Sequence, residues 1–392
     1  MSRFIIGSRA ELIAALRARL NAWGGGGADD VAAALIEEAR AVAEELFLDA
    51  LFLIAQFPGG QIVEVEKCCY AYDVRLCAGL CRATWAEEAF WSGLVREHSG
   101  PRKRTRLMYA ARHGDAACAA WLLARGAPRE VKNIDGGTAL LYAAQDGHSD
   151  AARVLLTAGA NVNTTRIDGT TPLYMAAQEG HIDAVIVLLA AGANVDEAAI
   201  DDATPLYTSA HEGHIEIVRA LLASGANVDA AMNDGSTPLY AAALSGHTEA
   251  IRALLAAGAA VGTAQNEGAT PLFIAAENGR TDAVCSLLAA GASIETARND
   301  GITPLFMAAL KGHSNAVRAL LAAGANVDAA ANDGWRPLHA ASERGNVAAA
   351  TLLLDAGADV NALSNGGDSP LACAASPEMR ELLAARGGVV EE

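Results

Sequence analysis

A chain of 392 residues, 52% of them hydrophobic, is long enough to bury a large core and to form two or three domains. Its formal charge of -17 repels the phosphate backbone that nucleic-acid binders neutralise with Lys and Arg, which argues against a nucleic-acid partner. The apolar run at Met1–Gly7 is too short for a signal peptide, and Leu46 to Phe57, interrupted by Asp49, falls short of the ~20 residues a membrane helix needs, so no membrane association is expected.

The first hundred residues read as all-α. Ser8-Arg-Ala-Glu11 is a capping box that opens a helix with Leu12, Ile13, Leu16 and Leu20 on its apolar face. Gly24 to Gly27 has no preceding strand and no following Lys-Ser/Thr, so it reads as a flexible linker and not as a phosphate loop. A long helix is expected from about Asp30 to Phe57, stopped by Pro58-Gly59-Gly60, followed by helical segments near 62–72, 74–82 and 85–98. Cys68, Cys69, Cys77 and Cys81, with His98 behind them, match no zinc spacing and read more simply as helical core.

Within residues 43–98, Leu51-Phe-Leu-Ile-Ala-Gln-Phe-Pro58, then Ile62-Val63, Cys68-Cys69 and Trp85 through Trp91 to Leu94, resembles an F-box, the three-helix module that docks on a ubiquitin-ligase core. The leading Leu-Pro is missing and Cys69 to Trp91 is too long a spacing. Residues 1–100 are therefore read either as a cap on the C-terminal three quarters of the chain or as an adaptor-docking module.

A short basic stretch, Arg102-Lys103-Arg104, marks a hinge, and from there to residue 392 one period governs the chain. Thr-Pro-Leu begins at Thr171, Thr204, Thr237, Thr270 and Thr303, each 33 residues after the last. Degenerate copies keep the phase at Thr105, Thr138, Arg336 and Ser369, which makes nine units. Gly-His pairs such as Gly180-His181 and Gly213-His214, and Gly-Ala pairs such as Gly192-Ala193, recur in the same phase.

Each recurring residue has a task in a helix-turn-helix unit. In the copy from Ile167, Asp168-Gly169 makes a tight turn, Thr171 caps a short first helix, and Pro172 occupies its first position, where no N–H is required. Gly180 ends that helix; a second helix buries Val185, Leu188 and Leu189 and stops at Gly192. A lone unit cannot bury its apolar face, so units must stack and be capped.

The motifs Asp-Gly-x-Thr-Pro-Leu, Ala-Ala-x-x-Gly-His and Leu-Leu-x-x-Gly-Ala-x-Val resemble the ankyrin repeat over roughly three quarters of the chain. The resemblance implies an all-α solenoid whose loop tips and first helices grip a partner protein, with no catalytic residues in the repeats. Two departures stand out. The His that the family places after Thr-Pro-Leu is Tyr174, Tyr207, Tyr240, Phe273 and Phe306 here, with His only at His339. The Asp that many members carry two residues before the turn acid is replaced by Arg166, Ala199, Met232, Gln265 and Arg298, which predicts weaker bracing between loops.

Candidate binding residues occupy these slots. The turn acids Asp135, Asp168, Asp201, Asp234, Glu267, Asp300 and Asp333 fall one per repeat, explicable as turn residues and also as a negative edge that steers a basic partner. Trp335, in the variable slot before the capping position, is expected at a loop tip as an interface anchor or packed on the following loop. Ile302, Ile200, Ile167 and His211 are further candidates. The one-per-repeat aromatics read as packing between repeats, and the five Gly-His histidines as structural.

The sequence thus predicts an all-α protein with an N-terminal helical domain (1–100) and a nine-repeat ankyrin-type solenoid (101–392) whose last unit is a degenerate cap. Its expected role is a non-enzymatic protein-interaction scaffold, a monomer with no cofactor or metal, whose partner is another protein with a basic surface. The alternative is a substrate-recruiting subunit of a ubiquitin ligase. Cys118, Cys285 and Cys373, placed singly in separate repeats, do not form a disulfide framework, and a cytoplasmic or nuclear setting is expected.

Overall fold

The computed structural model describes residues 98–99 and 104–389. The helices, the cysteine group and the F-box-like segment expected before residue 98 lie outside the described residues, as does the boundary near residue 100. The described residues fall into two compact units that divide between residues 167 and 168.

In the first unit a two-residue strand β1 (His98–Ser99) pairs antiparallel with β2 (Arg104–Thr105). Two helix pairs come next: α1 (Arg106–Arg112) with α2 (Ala116–Ala124), and α3 (Ala139–Gln145) with α4 (Ser149–Thr157). Thr105 caps α1 by accepting the Met108 N–H at 3.2 Å, and Asp115 caps α2 by accepting that of Cys118 at 2.8 Å. First helix packs on first helix and second on second, closing a core around Leu107, Met108, Leu122, Leu140, Leu141 and Leu155.

The second unit repeats this plan six times: α5 (Pro172–Gln178) with α6 (Ile182–Ala190), α7 (Pro205–Glu212) with α8 (Ile215–Ala223), and α9 (Pro238–Ser245) with α10 (Thr248–Ala256). Then come α11 (Pro271–Glu277) with α12 (Thr281–Ala289), α13 (Pro304–Lys311) with α14 (Ser314–Ala322), and α15 (Pro337–Glu343) with α16 (Val347–Asp355). A single helix, α17 (Pro377–Ala385), ends the unit.

Local chemistry sets each boundary. The hydroxyls of Thr171, Thr204, Thr237, Thr270 and Thr303 accept the N–H three residues on, at 3.1 to 3.3 Å, and proline comes directly after each. At α15, Arg336 replaces the threonine and no side chain accepts the N–H three residues on; the His339 ring instead accepts the Arg336 N–H on Nδ1 at 3.2 Å. First helices stay short because a left-handed glycine ends them. At Gly213 φ is 81°, and a Cβ there would lie 2.5 Å from the His247 ring, so only glycine fits.

The Gly-His residue ties one repeat to the last. His214 meets the Gln178 carbonyl and His313 the Glu277 carbonyl, each at 3.0 Å, satisfying groups that a helix end leaves open. Where the histidine is lost the bond survives: Arg280 donates to Leu244 O at 3.3 Å and Asn346 to Ala309 O at 2.9 Å.

Packing rests on size. Ala176, Ala210, Ala242, Ala275 and Ala308 are wholly buried where first helices meet, while Leu188, Leu221, Leu254, Leu287 and Leu320 fill the second-helix side. Full burial of one such leucine contributes about 1.5–3 kcal/mol, so stability accumulates by stacking. In the last unit the first helix is reduced to turns around Pro370–Cys373, because Pro377 arrives two residues after Ala375 and cannot continue a helix.

Candidate functional site

The loops between repeats begin as hairpins whose tips are braced by a ladder that sequence patterning does not reveal. The backbone N–H of Asn233, Asn266, Asn299, Asn332 and Asn365 donates to the turn-acid carbonyl one repeat earlier, at 2.8 to 3.3 Å. The asparagine side chains add a second rung: Asn266 donates to Asn233 O at 3.1 Å, and Asn299, Asn332 and Asn365 to the preceding asparagine carbonyl at 3.1 to 3.2 Å. Where the family aspartate is lost, the asparagine amide one position later makes the rungs between loops. Further in, Asp196, Asp229, Glu295 and Asp328 accept the N–H of Asn227, Ala260, Asn326 and Asp359.

The turn acids are locked in place. Asp168, Asp201, Asp234, Asp300 and Asp333 each accept the backbone N–H two residues ahead, at 2.8 to 3.3 Å. Asp168, Asp201, Asp234 and Asp333 are exposed. Asp300 is instead clasped by Arg298, which donates from both Nε and its terminal nitrogen, and this holds the Asp300 carboxyl below the usual range.

The expected exposures are only partly met. Ile167, in the first unit, and Ile200, in the second, are 73% and 71% exposed at the tips. Ile134 stands in the same phase as Ile167 at 49%, a tip residue that the sequence patterning did not single out. The slot that holds Trp335 does not project from the loop: Thr170, Ala203, Ser236 and Ala269 are buried there, because the residue before the helix cap turns towards the neighbouring repeat. Trp335 is part-buried against Phe306, Ala331 and Ala340, with its ring 5.7 Å from that of His339. Ile302 packs in the same layer against Phe273 and Phe306. His211 lies in the last turn of α7, half-exposed, its Nδ1 3.0 Å from the Glu212 carboxylate.

In the second unit the aromatics lie beside these acids. Burial pushes the Tyr174 hydroxyl up, opposed by a hydrogen bond with Thr208 and reinforced by the charges of Asp201, Asp168 and Glu212. Burial, helped by Asp234 and Asp201, pushes Tyr207 up to about 12; burial, helped by Glu277 and Asp234, does the same for Tyr240. Residues 168–389 carry 25 Asp/Glu against 10 Lys/Arg, a net -15.

The described stretch 104–167 of the first unit has the opposite sign, with 8 Lys/Arg against 5 Asp/Glu. Three of its arginines gather on Tyr142: the guanidinium carbons of Arg104, Arg112 and Arg166 lie 4.9, 5.9 and 5.8 Å from the ring centre. Arg104 Nε and Asn133 Nδ2 both donate to the Tyr142 hydroxyl, and Arg112 pairs with Asp146 at 3.4 Å. Among the described residues no group of three or more His, Cys, Asp or Glu is placed to hold a metal ion, and no helix is long and apolar enough to cross a membrane.

A family model for ankyrin repeats in three copies matches the chain at residues 107–199, 159–232, 196–265, 256–331 and 272–364, overlapping windows that cover well over half of its length. A search of curated proteins returns no match. With caps, paired helices, braced hairpins and the sequence model all in one phase, the chain belongs to the ankyrin-repeat family, whose repeats are protein-interaction modules.

Proposed function

We propose that the protein is a binding scaffold that holds a partner protein with a basic surface, through the hairpin tips and first helices of residues 168–389. The observation that carries this reading is the row of exposed turn carboxylates, each fixed by a hydrogen bond to its own loop. Such a row is preorganised, so little conformational entropy is lost on docking, and its field accelerates encounter with a cationic surface. Ile200, exposed between Asp168 and Asp201 in the ladder, supplies apolar contact within the charged edge.

A reducing compartment, cytoplasmic or nuclear, suits Cys285 and Cys373, both free thiols. The ubiquitin-ligase alternative rests on residues 43–98, and the family match starts at residue 107, so the match lends it no support.

The test is a photo-crosslinking residue at Ile200, compared with one at Ile186, which is 52% exposed on the second helix α6. Crosslinks to one basic protein from Ile200 alone support the reading, provided they vanish when Asp168, Asp201 and Asp234 are replaced by Asn. Crosslinks from Ile186 alone, or indifference to those substitutions, reject it.

A further inference from the structure

Resting on the basic-partner reading above, we infer that the second unit has a built place for one arginine side chain of the partner, between the ring of Tyr174 and the carboxylate of Asp201. Equivalent positions one or more repeats apart in this same unit show how such a place is filled or left open.

At Phe273 the place is filled from within. Arg298 lies on the hairpin of the next repeat, its guanidinium carbon 5.5 Å from the centre of the Phe273 ring, and clasps Asp300, the turn acid of that hairpin. Beneath it Phe273 is wholly buried. A cation on the face of an aromatic ring, anchored at its edge by a carboxylate, is a geometry that guanidinium fills better than ammonium.

At Phe306 the place is covered in another way. The hairpin position is Ala331, too small to reach, and Trp335 folds back over the layer, so Phe306 is 5% exposed.

At Tyr174 neither cover is present. The hairpin position equivalent to Arg298 is Ala199, and that equivalent to Trp335 is Ala203. Tyr174 remains part-exposed, while the turn acid is kept as Asp201, exposed and oriented by the Ala203 N–H at 3.3 Å. Asp202 adds a second exposed carboxylate beside it, in the turn where every other repeat of the unit has glycine. The ring and the acid of the Arg298 arrangement are both there, and the chain has no long side chain at either covering position. Tyr207 and Tyr240 are different: Met232 and Gln265 occupy their hairpin positions, and the Gln265 side chain is already used by the Glu267 N–H at 2.7 Å.

The test uses the full chain and two blocked peptides of equal length and charge, hexa-arginine and hexa-lysine, as probes, with affinities measured by fluorescence anisotropy. Hexa-arginine is expected to bind about fivefold more tightly than hexa-lysine. Ala199→Arg, which supplies the missing internal arginine, should remove that preference. Asn315→Arg, which adds the same charge on the second helix α14, should weaken both peptides equally and leave it. Tyr174→Leu, which keeps an apolar side chain but no ring, should also abolish it. Binding of both peptides with no preference, or with a preference that survives Ala199→Arg and Tyr174→Leu, overturns the arginine place and leaves the acidic edge standing. If neither peptide binds, the edge is overturned as well.

Discussion

The side-chain amide of Asn299 donates to the backbone carbonyl of Asn266, 33 residues earlier, at 3.2 Å, and this one bond stands for a rung repeated along the second unit. The same two loops share the backbone bond from Asn299 N to Glu267 O at 3.0 Å. The stacking order of the repeats is therefore written in exposed amides as well as in buried leucines.

Asn299→Ala should lower stability by about 0.5–1 kcal/mol, the net worth of an exposed hydrogen bond. Asn299→Asp should cost more, because a carboxylate then faces the Asn266 carbonyl oxygen with no proton to share. Urea midpoints of the two variants decide; an Asp variant at least as stable as the Ala variant contradicts the donor role.

Asp202 is the one non-glycine residue with positive φ among the described residues, at 63°, where the equivalent turns hold Gly169, Gly235, Gly268, Gly301 and Gly334. Asp tolerates this conformation better than branched residues do. Asp202→Gly should therefore leave stability unchanged or raise it by up to about 1 kcal/mol, whereas Asp202→Val should lose about 1–2 kcal/mol. Thermal unfolding of both variants reads the difference.

His339 is wholly buried, accepts the Arg336 N–H on Nδ1, and so donates from Nε2 to Asp368 O at 3.0 Å. Burial lowers its pKa, with hydrogen bonding to the Asp368 and Ala362 backbone opposing and Arg336 adding to the depression. The unfolded chain, titrating near 6.5, takes up the proton first as pH falls, so its proton count exceeds that of the fold. Stability from this group is complete above about pH 6.5 and is lost as pH drops through the folded value. Urea midpoints between pH 7.5 and 5 should fall in the native chain and fall less in His339→Gln; parallel curves refute the assignment.

Thr237 is buried, 1% exposed, and caps α9 through the Tyr240 N–H at 3.3 Å. Thr237→Ala should cost about 1–2 kcal/mol, since the N–H is left in a dry site, and Thr237→Ser should recover most of it. Equal loss in the two variants would assign the effect to the methyl group instead.

Much of this was legible in the chain because a repeat prints its own chemistry many times. Thr-Pro-Leu every 33 residues marks a cap, a first helical position and a core residue, and each took that role from α5 to α13. The exposed Ile167 and Ile200, and the tip acids from Asp168 to Asp333, were also readable as loop residues. Trp335 was not: whether the residue before a cap points outward or towards the next repeat depends on hairpin geometry that no periodicity encodes. The asparagine ladder was hidden for the same reason, since a side chain that reaches 33 residues back leaves no local trace.

Repeat length, helix ends, the buried stripe and the sign of the exposed edge were all fixed by the order of residues, because they depend on caps, glycine and charge within one unit. Which aromatic is covered and which is left open was settled only by the folded array. Phe273 under Arg298, Phe306 beneath Trp335 and Tyr174 beside two alanines differ in what the next repeat brings over them, and that is fixed by packing between repeats, not by the pattern within one.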